Sequence, residues 1–183
     1  MLPTGWKIHE KGDRANTSYA ADDGISFSGN TYSYGTGIQN ERALGMLNSG
    51  SLVAIIGVQF KNTTGKPLNA LTVTYTGEQW RCGTAGRQDR LDFQYSTNAT
   101  SLSSGTWIDV NALDFSSPIT KTKGAQNGNT ASNRMEMSAT INGLNIPDNA
   151  SFWFRWVDTD ASGYNDGLAI DDFSLKVSTE NPK

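Results

Sequence analysis

Apolar residues recur at every second position over much of the chain, and this period of two limits the fold more than any other feature. The pattern is clear at residues 54–60, 71–75 and 152–156. Successive side chains of a β-strand point to opposite faces of the sheet, so the alternation predicts strands with one buried and one exposed face. Further alternating segments lie at residues 91–95, 135–141 and 168–177. The sequence therefore predicts an all-β protein.

The spacing of these segments predicts how the strands are arranged. Turn residues such as Asn127-Gly128 separate them, and no helical period lies between them. This pattern favours a two-sheet antiparallel β-sandwich, a jelly roll. One short helical turn is expected at residues 40–45. The alternation breaks at Asp171-Asp172, where a β-bulge would restore it.

Composition narrows the possible functions. The chain has 183 residues, of which 18% are charged and 72 are Ser, Thr, Asn or Gly. Its net charge of −3 argues against a nucleic-acid partner, and no apolar run is long enough for membrane insertion. We expect a single β-sandwich domain at 1–177 and, at 178–183, the start of a linker or tail to other domains of a larger parent protein. The composition also favours an extracellular or cell-surface location, in a secreted bacterial protein.

Acidic residues are concentrated near the C-terminus, in a chain otherwise poor in charge. Five residues follow the spacing of positions 1, 3, 5, 6 and 9 of a calcium-binding loop, namely Asp158, Asp160, Ser162, Gly163 and Asp166. Position 12 is Ala169 instead of a bidentate Glu, so the loop is no EF-hand, and Asp171 or Asp172 would supply later ligands. We expect structural Ca²⁺ in this region. The competing interpretation is a solvated hairpin loop.

Three tryptophans are candidate platforms for a sugar ring. Trp153 and Trp107 are out of phase with their apolar neighbours, and Trp80 lies where a strand runs into a loop. Indole faces stack on sugars, while Glu78 and Arg81 would bond the hydroxyls. We expect at least one of the three indoles to be exposed, although burial is the competing interpretation for each, and ion pairing for Glu78 and Arg81. The predicted ligand-binding residues are Glu78, Trp80, Arg81, Trp107, Trp153 and Tyr164.

The sequence offers little for catalysis. His9 is the single histidine and Cys82 the single cysteine, which excludes a zinc cluster built from these residue types. No Gly-x-Ser-x-Gly elbow accompanies the histidine, and the paired-carboxylate motif of jelly-roll glucanases is missing. We therefore predict that the protein is not an enzyme.

The final strand resembles the closing strand of MAM and laminin-G-like (concanavalin A-like) jelly rolls, in the sequence GLAIDDFSL at 167–175. The segments NTYSYG, ERALG and GEQWR extend the resemblance to the whole chain. In them the chain is similar to jelly-roll modules of bacterial extracellular proteins that resemble carbohydrate-binding modules. In such jelly rolls a calcium ion bridges the N-terminal segment and the Asp-Asp strand. The resemblance therefore implies that Glu10 and either Asp171 or Asp172 bind this ion. The predicted metal ligands are thus Glu10, Asp158, Asp160, Asp166, Asp171 and Asp172.

The function expected from these features is that of a non-catalytic carbohydrate-binding module, stabilised by Ca²⁺, with a polysaccharide or other glycan as its partner. An adhesive or structural spacer module that binds protein is one alternative. A polysaccharide lyase or glycoside hydrolase with a jelly-roll fold is the other.

Overall fold

The computed structural model describes residues 1–37, 41–158 and 162–180, and these residues form thirteen β-strands and two short 3₁₀ helices. The strands are β1 (Trp6–Lys11), β2 (Ala20–Asp22), β3 (Asn30–Tyr34), β4 (Ala43–Leu47), β5 (Val53–Lys61), β6 (Ala70–Cys82), β7 (Arg90–Ser96), β8 (Ile108–Asp109), β9 (Phe115–Ser116), β10 (Gly124–Ala125), β11 (Arg134–Ile141), β12 (Ser151–Asp158) and β13 (Gly167–Ser178). The 3₁₀ helices are Asn111–Leu113 and Ala131–Asn133. A helix with the length and apolarity needed to cross a membrane is not found in these residues.

The strands pair into two sheets, and the predicted β-sandwich is confirmed. The first sheet has the order β1-β5-β12-β7-β8, with β9 also paired to β7. The second has the order β10-β6-β13-β4-β3-β2, with β11 also paired to β6. All pairings are antiparallel except that of the edge strand β2, which runs parallel to β3. The six segments predicted from alternation all lie within strands, β5, β6, β7, β11, β12 and β13.

The core lies between the sheets and contains in-phase residues of β5, β6, β7, β12 and the first half of β13, whereas Met135 on β11 and Val177 on β13 are exposed. Phe152, Phe154 and Trp156 of β12 are buried there, as the alternation predicts. Trp156 stacks on Trp6 of β1, with ring centroids 5.8 Å apart. Tyr75 of β6 meets Trp156 edge to face at 5.4 Å. Aromatic side chains from both sheets therefore fill the centre of the sandwich.

Two smaller apolar clusters lie outside this core, each covering an indole that was a candidate platform. Trp80 faces away from the core on the second sheet and packs with Tyr32, Tyr34, Ala43, Leu47 and Ala169. Trp153 faces away from the core on the first sheet and packs with Ala99 and Leu102. Both side chains are almost fully buried. Neither Trp80 nor Trp153 therefore offers an open face to a sugar, because residues of β3, β4 and β13 pack around Trp80 and the loop after β7 covers Trp153. The expectation of exposure is wrong for these two indoles.

Two local predictions have opposite outcomes. The bulge at Asp171-Asp172 is confirmed, since Asp171 lies opposite Thr76 while Ser174 lies opposite Thr74, and Asp172 has a φ of 51°. The helical turn expected at residues 40–45 is wrong for its described part, because Ala43 begins strand β4. Strand β13 includes Ser178, one residue past the predicted end of the domain, and that boundary stays a prediction.

Candidate functional site

A cleft of about 410 Å³ lies at one end of the sandwich, and we call it the loop-end cleft. Its walls come from the turn between β4 and β5, the C-terminal end of β6 and the loops near residues 27, 123 and 164. Phe27 and Tyr164 line it with side chains that are 74% and 67% exposed. Exposed large aromatic rings in a cleft are typical of a ligand-binding surface.

Hydrogen bonds to the backbone fix the position of Tyr164. The hydroxyl Oγ1 of Thr84 accepts from the backbone N–H of Tyr164 at 2.9 Å and donates to its carbonyl at 3.0 Å. Arg87 also donates to that carbonyl. The ammonium group of Lys123 lies 4.7 Å from the centroid of the Tyr164 ring, which is a cation–π distance. The loop that follows β6 thus holds Tyr164 at the cleft.

Arg81 joins the cleft to the loop that carries Phe27. Its Nη1 donates to the backbone carbonyls of Gly24 and Ile25, at 3.1 and 3.2 Å. Among the described residues, neither Arg81 nor Lys123 has a carboxylate within 4.0 Å. The cleft therefore carries two cations that form no ion pair with a described acidic residue.

Of the predicted ligand-binding residues, Arg81 and Tyr164 lie together in the loop-end cleft, whereas Glu78, Trp80 and Trp153 are buried. Trp107 is partly exposed, but the guanidinium of Arg155 lies 4.0 Å from its ring centroid and covers one face. Arg155 in turn donates to Gln94 and to the Leu102 carbonyl.

A second group of interest lies on the outer face of the second sheet and is called the carboxylate cluster. It consists of Glu41, Glu78 and Asp171, whose ligand oxygens all lie within 4.8 Å of one another. Glu78 is fully buried, Asp171 is half-buried and Glu41 is exposed. The cross-strand pairing brings Glu78 of β6 beside β13, directly opposite Ala169 and two positions from the Thr76–Asp171 pair, so both side chains lie on the same face of the sheet.

Burial raises the pKa of two members of the carboxylate cluster. The pKa of Glu78 rises to about 7, because desolvation outweighs the hydrogen bond from Trp80, and the nearby carboxylates of Asp171 and Glu41 raise it further. The pKa of Asp171 rises to about 6, also by desolvation first, with the backbone N–H of Asp172 acting against the shift. Three acidic groups at this spacing thus repel one another when ionised.

The other predicted metal ligands do not join this cluster. Glu10 is saturated with hydrogen bonds, because Oε1 accepts from N and Oγ1 of Thr31 and Oε2 accepts from N and Nδ2 of Asn16. Its carboxylate does not fit the bridging role that the resemblance implies. Asp166 is buried and accepts from Gly83 N at 2.7 Å and Gln79 Nε2 at 2.8 Å, which ties its loop to β6. Burial raises the pKa of Asp166 to about 6.

The remaining predicted ligands are dispersed. Asp158 is buried at the end of β12, and Asp172 is exposed at the bulge. Asp160 lies outside the described residues. The spacing of a calcium loop therefore does not bring Asp158 and Asp166 together with Asp171 into one group of carboxylates among the residues that the structure describes.

Sequence reasoning missed Phe27, Lys123 and Glu41. Phe27 follows Asp22-Asp23-Gly24, a turn signal that would have marked residues 25–28 as an exposed loop. Glu41 reaches the carboxylate cluster only through the pairing of β4 with β13, which no local pattern reveals.

Comparison with known proteins shows the fold and no family. No family model matches the sequence, and no curated protein does either. A similar solved structure is the K3 cleaved adhesin domain of Lys-gingipain from Porphyromonas gingivalis W83, with a TM-score of 0.51 and 12% identity over 95% of this chain and 92% of that chain. The resemblance to MAM and laminin-G-like domains stays a prediction.

Further similar solved structures have TM-scores below 0.5 and include a carbohydrate-binding module and an enzyme domain. TmCBM61 in complex with β-1,4-galactotriose has a TM-score of 0.46 and 11% identity over 96% of this chain and 90% of that chain. The enzymatically active domain of bacteriophage CBA120 tailspike protein 4 has a TM-score of 0.47 and 8% identity over 96% of this chain. This chain spans 20% of the tailspike chain.

Proposed function

We propose that the protein is a non-catalytic carbohydrate-binding module that takes a polysaccharide at the loop-end cleft. The observation that carries this proposal is the pair of exposed rings, Phe27 and Tyr164, on the walls of one cleft. A flat aromatic face packs against the C–H groups of a sugar ring, and an open cleft admits a chain that continues beyond the bound unit.

The polar groups of the cleft suit recognition of sugar hydroxyls. Ser49 lines it beside the cations Arg81 and Lys123, whereas the buried amide of Asn48 is already bonded to Ala54 N and the Asp158 carbonyl. Cations and a hydroxyl can bind a sugar without supplying the carboxylate pair of a glycosidase. This lining is the reason for proposing binding without catalysis.

The charge of the cleft favours an acidic polysaccharide. Arg81 and Lys123 form no ion pair with a described carboxylate, although the protein as a whole has a net charge of −3. A uronate or sulfate group on the glycan would complement both cations. We therefore propose that acidic chains bind more tightly than neutral ones, and that their binding weakens as salt is added.

Affinity electrophoresis on gels containing acidic and neutral polysaccharides tests the proposal. The wild-type protein should be retarded most by an acidic polysaccharide, and Tyr164→Ala or Phe27→Ala should lose most of that retardation. Met135→Ala is the matched control, since Met135 is 52% exposed on β11, outside the cleft. Equal retardation of all four proteins would contradict a site in this cleft.

The alternatives are outcomes of the same experiment. If no polysaccharide retards the protein, the adhesive or structural spacer role takes the place of glycan binding. If a polysaccharide is degraded, seen as released reducing ends or as absorbance of unsaturated products, the protein is a hydrolase or a lyase. We further propose a location in a larger secreted or surface protein of a bacterium, which the low charge and the Ser, Thr and Asn content support.

A further inference from the structure

We propose that Glu41, Glu78 and Asp171 together bind one Ca²⁺ ion on the outer face of the second sheet. This site is separate from the loop-end cleft and differs from the calcium loop and from the Glu10 bridge that the sequence suggests. It goes beyond glycan binding, because the ion would stabilise the fold whether or not the cleft holds a ligand.

The geometry of the site comes from sheet pairing. Glu78 and Asp171 lie on the neighbouring strands β6 and β13, and Glu41 lies two residues before β4, which pairs with the other edge of β13. Oxygens from the three side chains lie within 4.8 Å of one another. Ligands bound to one Ca²⁺ at 2.3–2.6 Å are separated by at most about 5 Å, so this spacing suits a shared ion.

An independent observation points to a ligand at this place. Glu78 has no exposed surface, and its Oε1 accepts no hydrogen bond from any described residue. Nη1 of Arg134 forms a long ion pair with this oxygen at 3.8 Å, a distance that leaves it without a hydrogen bond. A buried carboxylate oxygen without a donor is strongly unfavourable, and a bound cation would satisfy it.

The chemistry of the ligand set favours calcium. All three ligands are carboxylates, and the described residues place no histidine or cysteine in the cluster. Hard oxygen ligands select Ca²⁺ or Mg²⁺ over zinc and copper. Ca²⁺ tolerates irregular geometry and carboxylates that bind through both oxygens, whereas Mg²⁺ demands a near-ideal octahedron.

An ion can reach the site from solvent. Asp171 lines a cleft of about 570 Å³ together with Asp172 and Arg42, and Glu41 is exposed. The buried Glu78 would form the inner wall of the site and the other two carboxylates its outer side. Water would complete the coordination on the solvent side.

Thermal unfolding of the whole protein in CaCl₂ and in excess chelator tests this proposal. Ca²⁺ at about a hundred times its Kd should raise the Tm by roughly 5 to 10 °C. Glu78→Gln and Asp171→Asn should each weaken the Ca²⁺ affinity measured by calorimetry by at least about tenfold, because each removes one ligand charge. Asp13→Asn is the matched control, since Asp13 is exposed on the loop after β1 and should leave the Ca²⁺ response unchanged.

The measurements separate this site from its alternatives. In chelator, the Tm of Glu78→Gln should equal or exceed that of the wild type, because the substitution removes the repulsion between carboxylates. Adding Ca²⁺ should not raise the Tm of this variant further, because a ligand is lost, and the two results together would support the proposal. If Glu78→Gln does not fold, Glu41→Gln at the exposed end should show the same loss of Ca²⁺ affinity. The proposal would be overturned if the wild-type Tm were the same in Ca²⁺ and in chelator. It would also be overturned if Glu41→Gln, Glu78→Gln and Asp171→Asn all kept the full rise in Tm on adding Ca²⁺. Retardation by polysaccharide is measured separately, so failure of either proposal leaves the other intact.

Discussion

The indole Nε1 of Trp80 donates a hydrogen bond of 2.9 Å to Oε2 of Glu78, two residues earlier on the same strand. Both side chains face away from the core of the sandwich and are fully buried. Trp80 stacks on Tyr34 at 5.7 Å, which holds the indole in place. Trp80 therefore holds one oxygen of Glu78 in place, instead of offering its face to a sugar.

Replacement of Trp80 by Phe should destabilise the protein by about 1–3 kcal/mol, because it leaves a buried carboxylate oxygen without its donor. Urea unfolding followed by circular dichroism measures this change. Trp107→Phe is the control, since its Nε1 donates to the Ser104 carbonyl in a partly exposed position and its loss should cost less. Equal losses of stability in the two variants would argue against a special role for the Trp80 bond.

The stability of the calcium-free protein should fall as the pH rises. The pKa of Glu78 is about 7 in the folded state, against an ordinary value of 4.5. The folded protein thus holds this proton more tightly, and the resulting stabilisation is full below about pH 4.5 and is lost as the pH rises through about 7. Urea midpoints in chelator should be higher near pH 5.5 than near pH 8. Glu78→Gln should reduce that difference, and an unchanged difference would contradict the assignment to Glu78.

Gly128 is required for the cover over Trp80. A Cβ at this position would lie 2.3 Å from Nε1 of Trp80, closer than any real contact. Gly128→Ala should therefore destabilise the protein by about 1–3 kcal/mol through overpacking. Gly50→Ala is the control, because a Cβ there meets nothing within 4 Å. Both are measured by urea unfolding, and a neutral Gly128→Ala would mean that the loop moves aside readily.

Glu10 should matter for folding and not for calcium. Glu10→Gln places an NH₂ group against hydrogen-bond donors from Thr31 or Asn16, which should cost about 1–3 kcal/mol. The rise in Tm on adding Ca²⁺ should stay at its wild-type size. If the rise is lost in Glu10→Gln and kept in Glu78→Gln, the bridge implied by the family resemblance holds the ion.

Alternation predicted six of the thirteen described strands and the inner face of β12, but not what covers the outer faces. Phe152, Phe154 and Trp156 alternate along β12 and all enter the core. Trp153 points the other way, as its phase requires, yet Leu102 and Ala99 cover it. The period of a strand determines the face to which a side chain points. Whether that side chain is covered depends, for Trp153, on a loop more than forty residues away in the chain. Exposure of an out-of-phase tryptophan is therefore not predictable from its own strand.

The candidate sites show the same division. Tyr164 and Arg81 were predicted from local composition, and both line the loop-end cleft. Asp171 was predicted as a ligand, but its partners Glu41 and Glu78 are supplied by strand pairing across β13. Local spacing instead favoured Asp166, whose oxygens are occupied by Gly83 and Gln79. Sequence spacing cannot reveal a set of ligands that strand pairing assembles.

The two hydrogen bonds from Arg81 to the carbonyls of Gly24 and Ile25 have a kinetic consequence for the cleft. Asp22 also accepts from the backbone N–H groups of Gly24 and Ser26, so the loop before Phe27 is fixed from two sides. Its conformational entropy is lost when the protein folds and not when a ligand arrives. Loosening this loop should therefore shorten the lifetime of a bound glycan more than it slows association.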